Sequence, residues 1–184
     1  MLTAELGIAP ERETTALYEA LKTGEPIATP RPRPLALPTA VTPFIGRQTE
    51  LAELRQKLLH PDTRLLTLVG EGGIGKTRLA VAVATQVQHD FPDGLWFVDL
   101  TNLDDETEAT AGVSLPLRLV MAIAQALGLV FSGSQPPHNQ LLAMLKNWAG
   151  LLVLDNFETV LTAAHVVADL LQAVPHVVVV ATSR

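Results

Sequence analysis

The run Gly70-Glu71-Gly72-Gly73-Ile74-Gly75-Lys76-Thr77 constrains this chain more than any other feature, because it stands between a strand-like and a helix-like run. Leu65-Leu66-Thr67-Leu68-Val69 suits a buried parallel strand, and Arg78-Leu79-Ala80-Val81-Ala82-Val83-Ala84 continues as a helix toward His89. Glycines in such a loop let the backbone turn its N–H groups inward around phosphate oxygens. The helix that follows adds unpaired N-terminal donors and the positive end of its dipole. Gly70, Gly72, Gly73, Ile74, Gly75, Lys76, Thr77 and Arg78 are therefore the candidate phosphate-binding residues. The spacing places Lys76 to reach β and γ phosphates and the Thr77 hydroxyl to meet Mg²⁺. A plain glycine-rich turn with a solvated lysine is the structural alternative, and it does not explain why every position of the loop is filled.

The rest of the chain repeats the strand-helix plan. Glu50 to His60 carries Leu51, Leu54, Leu58 and Leu59 at helical spacing and closes at Pro61-Asp62. Further strands are expected at Gly94 to Leu100, Leu151 to Asp155 and His176 to Ala181, with helices over Leu117 to Leu127, Gln140 to Trp148 and Val160 to Ala173. Apolar strands separated by helices specify the α/β class: a three-layer α/β/α domain with a mostly parallel sheet. Ahead of it, Glu11 to Lys22 reads as a short amphipathic helix ended by Gly24. Glu25 to Pro43, with Pro26, Pro30, Pro32, Pro34, Pro38 and Pro43, reads as a stiff linker. The expected domains are thus 1–24, 25–43 and 44–184.

Composition narrows the partners. Hydrophobic content of 48% with 4% aromatic implies a core of Leu, Val, Ala and Ile, and a net charge of −6 without a basic stripe argues against direct nucleic-acid contact by this segment. The absence of cysteine excludes disulfides and cysteine-based zinc sites and fits a reducing compartment. His60, His89, His138, His165 and His176 show no ligand spacing. The N-terminus lacks the pattern of a signal peptide, and apolar runs such as Val177 to Ala181 are too short to span a bilayer. A cytoplasmic protein without membrane contact is the expectation.

Two further signals belong with the loop. Leu151-Leu152-Val153-Leu154-Asp155 is an apolar strand ending in a carboxylate, which places Asp155 where ligands collect in open α/β sheets and makes it the expected metal partner of Thr77. Asn156, directly after it, cannot accept a proton from water. Glu158 is either a water-activating carboxylate or a solvated acid at a helix start. Val177 to Arg184 (VVVVATSR) ends in a guanidinium that would lie beside a γ-phosphate, so Arg184 is a candidate sensor of triphosphate against diphosphate. Lys76, Asp155, Glu158 and Arg184 form the candidate catalytic set.

Together FIGRQTEL at Phe44 to Leu51, GEGGIGKT, LLVLDNFE and VVVVATSR resemble, in the family's order, the NB-ARC type of STAND signal-transduction ATPases, especially bacterial AfsR-like and LuxR-like regulators. The resemblance implies a P-loop NTPase that binds ATP or ADP with Mg²⁺, with Ile45 and Arg47 over the adenine. Gln48 stands where many members carry glutamate, and LDN replaces the LDD or LDE of more hydrolytic branches, so slow hydrolysis at most is implied. The segment ELGIAPERETTALYEALKTGEP resembles the end of a bacterial transcriptional activator domain. By the same resemblance the loop strand lies between the sensor strand and a fifth strand. The domain is then expected to be truncated after its fourth strand, with Leu65 to Val69 as an exposed edge. The implied role is a nucleotide-dependent switch in a multidomain transcriptional regulator, whose partners are adenine nucleotide, the regulator's other domains and, at full length, further copies of itself. An actively hydrolysing ATPase, such as a remodeller or kinase-like enzyme, and a nucleotide-independent scaffold are the competing readings.

Overall fold

The computed structural model describes residues 37, 44–105 and 111–184. The helix expected at 11–22, the 1–24 and 25–43 domains, and all of the linker but Leu37 lie outside the described residues. Leu37 packs, half-buried, against the core cluster that holds Leu51 and Leu79.

Among the described residues the elements run α1 (Gln48–Leu58), β1 (Leu65–Val69), α2 (Lys76–Gln86), β2 (Leu95–Asp99), α3 (Leu115–Ala126), α4 (Pro137–Leu145), β3 (Leu151–Asp155), α5 (His165–Ala173) and β4 (Val178–Ser183). Short 3-10 segments at Gln88–Asp90 and Phe157–Ala163 complete the order. The strands form one four-stranded sheet in the order β1-β4-β3-β2, every neighbouring pair parallel. The sheet is fully parallel within these residues, and its loop strand and sensor strand are neighbours as expected.

Side chains alternate across a strand, so each central strand feeds two cores. Leu151 and Val153 of β3, with Val178 and Val180 of β4, face the cluster built on Leu51, Leu58, Leu79, Ala80 and Val83 of α1 and α2. Leu152, Leu154 and Val179 face the opposite cluster with Leu119, Ile123, Leu141, Leu145, Val166 and Leu170 of α3, α4 and α5. These are the three layers. The same parity carries Asp155 and Thr182 to the α2 face, which is the face of the phosphate loop. Among the described residues β1 is one edge of the sheet, and its Leu65 and Val69 are 48% and 70% exposed.

Several boundaries differ from the sequence expectation. α3 and α4 begin at Leu115 and Pro137, each with a proline in its first turn, where the missing N–H costs nothing because that donor lacks an intrahelical partner anyway. Of the stretch expected as one helix from Val160 to Ala173, only His165–Ala173 is α-helical; the residues before it belong to the 3-10 segment Phe157–Ala163, kinked at buried Val160, whose φ of −121° and ψ of 20° leave the helical region. β4 runs to Ser183 rather than Ala181, which brings Thr182 inside the sheet.

Candidate nucleotide-binding site

The loop leaves the C-terminal end of β1 at Val69 and enters α2 at Lys76, the first residue of the helix. Gly73 and Gly75 have φ of 79° and 92°, a region L-residues rarely adopt, so these two positions require glycine for their backbone. Gly75 is the N-cap of α2 and no side chain caps it, so the first N–H groups of the helix face the loop without an intrahelical acceptor. Lys76 folds back across the loop and donates from Nζ to the carbonyls of Gly70 at 2.7 Å and Glu71 at 2.9 Å. An ammonium thus spans the concavity that the backbone donors line, the arrangement an anionic phosphate chain would meet. Arg78 and the half-exposed Ile74 stand at the solvent side of the loop.

The two residues expected to hold a metal come together across 78 positions of sequence. Thr77 donates from Oγ1 to the carboxylate of Asp155, 2.7 Å from Oδ1 and 3.0 Å from Oδ2. Asp155 is 7% exposed at the end of an otherwise apolar strand. A hydroxyl beside one carboxylate supplies hard oxygen donors of the kind Mg²⁺ takes when phosphate oxygens and water complete its shell. The chain's residues therefore fit a magnesium-nucleotide.

The C-terminal end of β4 closes the corner. Arg184 pairs through Nε with Glu158 Oε1 at 3.3 Å and donates its backbone N–H to Glu158 Oε2 at 3.2 Å, so both carboxylate oxygens of Glu158 are engaged by one residue. A Cβ added to Gly72 would lie 3.9 Å from Arg184 Nε, which puts the guanidinium stem against the phosphate loop. Asn156 sits in the left-handed region at φ 60°, a conformation asparagine tolerates, and turns its Nδ2 to Thr101 Oγ1 at 3.0 Å beyond the end of β2.

This geometry agrees with the family comparison, in which the NB-ARC domain matches residues 47–156. The chain belongs to the NB-ARC family. An uncharacterized protein of Mycobacterium tuberculosis is 32% identical over 162 residues, covering 82% of this chain and 38% of that protein. The regulatory protein AfsR of Streptomyces griseus is 30% identical across all of this chain and 20% of its own length, and AfsR of Streptomyces coelicolor is 33% identical over 54% of this chain and 12% of its own. The chain spans little more than a third of the first of these relatives. A DNA replication initiation factor of known structure superposes with a TM-score of 0.42 at 16% identity, over 77% of this chain and 40% of that one. Within the NB-ARC match, Arg47 lies at φ 54° and donates from Nη2 to the carbonyl of Ile74 at 2.8 Å, tying the FIGR turn to the loop. Ile45 is 88% exposed.

Sequence reading singled out Lys76, Thr77, Asp155, Glu158 and Arg184, and the fold gathers them around one corner of the sheet. It assigned no role to Thr182 or Thr101. For Thr182 the signal is strand parity, since it follows Val178 and Val180 on the α2 face once β4 extends through Ser183; Thr101 lies in the turn after β2, where sequence pattern carries no such signal.

Proposed function

We propose that this NB-ARC chain is an ATP/ADP-binding regulatory switch module of a multidomain bacterial transcriptional regulator. The observation that carries the reading is the Thr77–Asp155 contact beside a lysine laid across a glycine loop. Lys76 and the loop N–H groups, with Arg78 at the helix entrance, hold the phosphates; Thr77 and Asp155 hold Mg²⁺; Ile45 and Arg47 border the adenine. Bound Mg²⁺ would supply positive charge against the β and γ phosphates. Arg184 distinguishes triphosphate from diphosphate. Slow hydrolysis fits the site, since Asn156 is no proton acceptor and both oxygens of Glu158 are occupied by Arg184. A ligand pair shifts a switch only by its differential affinity for the two states, so ATP and ADP must act through contacts to the γ-phosphate. The regulator's other domains receive that shift, in the cytoplasm and, at full length, within an oligomer, while this acidic segment leaves nucleic-acid contact to them.

Calorimetric titration with ATP and ADP, each with Mg²⁺, tests the reading. Lys76→Ala is expected to weaken both by at least about ten-fold, or 1.4 kcal/mol. Unchanged affinity in that variant would support a nucleotide-independent scaffold. Equal affinity for the two nucleotides would sink the switch, and turnover faster than about one per second would favour a hydrolytic enzyme.

A further inference from the structure

Thr182, 1% exposed at the end of β4, makes two hydrogen bonds whose directions are fixed by its chemistry. Its hydroxyl donates to Asp155 Oδ1 and accepts the backbone N–H of Asn156 at 3.0 Å. A hydroxyl has a single hydrogen, so accepting from an N–H leaves that hydrogen for the carboxylate. Thr77 reaches the same carboxylate from α2. Asp155 is therefore gripped by hydroxyls from two different elements, and Asn156 extends the tie to Thr101 beyond β2. The ends of β4, β3 and the turn after β2 are joined at the level of the metal carboxylate. These bonds of Thr182 run to Asp155 and Asn156, whereas the phosphate-facing ammonium of Lys76 is held by the carbonyls of Gly70 and Glu71.

We propose that Thr182 is a positioning residue of the magnesium site: its hydroxyl fixes the orientation of the Asp155 carboxylate and so sets how much of the nucleotide affinity depends on Mg²⁺. This rests on the nucleotide reading above. A threonine that served packing alone would change stability, and would change affinity equally with and without the metal. Valine has nearly the same shape and removes the hydrogen bond; serine keeps the hydroxyl.

The test is calorimetric titration of ADP into the 184-residue chain and its Thr182→Val and Thr182→Ser variants, in Mg²⁺ and in excess EDTA, with a thermal melt of each. Thr182→Val is expected to lose about ten-fold of the Mg²⁺-dependent gain, the low end for removing a hydrogen bond that orients a metal ligand, while its affinity in EDTA stays within about two-fold of the parent. Thr182→Ser keeps the gain. On an Asp155→Asn background the valine change has no further effect, because its route to the metal is already gone. An undiminished gain in Thr182→Val, or an equal loss in both buffers, overturns the role of Thr182 and leaves the nucleotide reading standing. A parent chain that binds ADP equally in both buffers overturns the role of Thr182 and the magnesium part of the reading, and leaves nucleotide binding standing. A parent chain that binds no nucleotide in either buffer overturns the nucleotide reading and this proposal with it. If valine prevents folding, Thr182→Ser decides, since a folded serine variant without the gain contradicts the proposal.

Discussion

At the scale of single residues, the loop shows how one backbone angle limits substitution. Gly75 has φ of 92° and open space where a Cβ would stand, so alanine there is opposed by conformation and not by crowding. Gly75→Ala is expected to cost about 1–2 kcal/mol of stability, the usual penalty for a left-handed L-residue, read from urea unfolding. Gly70 lacks a positive φ, and a Cβ there would meet Ile74 and Lys76 at ordinary contact distances, so its alanine variant should lose less. The Glu158–Arg184 pair gives the opposite lesson about charge. Arg184's side chain is 74% exposed, and water screens the attraction, so Glu158→Gln is expected to change stability by less than about 1 kcal/mol in the same measurement. Sequence supplied the identity of both partners but left Glu158 between a water-activating acid and a solvated one. Only the path of the chain through the 3-10 segment brings it onto the arginine.

Among the elements, two residues outside every motif fix how strands meet helices. Arg64, directly before β1, donates from Nε to the Val177 carbonyl at 2.8 Å and from Nη2 to the carbonyls of Leu171 and Val174. It thus satisfies acceptors at the C-terminal end of α5 that the helix cannot, and pins the start of β1 to the approach of β4. Gly150 is the second. Its Cβ, were there one, would run into the indole of Trp148, which tilts against Trp96 at a ring separation of 4.5 Å. The glycine reads in sequence as a helix stop; in the fold it is also the space into which an aromatic ring packs beside the first residue of β3. Gly150→Ala is expected to destabilise by about 1–3 kcal/mol, as overpacking does, with a lowered Tm in a reversible melt. Leu152→Ala, on the fully buried middle strand, should cost about 2–5 kcal/mol through the cavity it leaves. Helix starts were less legible than helix existence, because Pro116 and Pro137 look like breaks in a string of residues and behave as first-turn residues in space.

For the whole molecule, the two core clusters share a single sheet, so a ligand held at the strand tips stabilises both layers together. Saturation with ADP and Mg²⁺ at about a hundred times Kd should raise apparent stability by about 2.7 kcal/mol, seen as a concentration-dependent rise in Tm that Lys76→Ala cuts to about half or less at the same ligand concentration. The sequence by itself determined the class of fold, the phosphate loop and the residues that pair across it. These rest on local patterns: apolar runs of strand length, glycines where a loop must curl around an anion, and a carboxylate at the end of a buried strand. It also gave membership in the NB-ARC family, through motifs in a set order. Tertiary structure alone decided which hydroxyls grip Asp155, where Glu158 finds its partner and why Gly150 must lack a side chain. The first two depend on strands far apart in sequence ending side by side, the third on the Trp148 ring turning in against Trp96 of β2, and a shift of two residues in the end of β4 is enough to move Thr182 from a loop to the buried side of the candidate metal site.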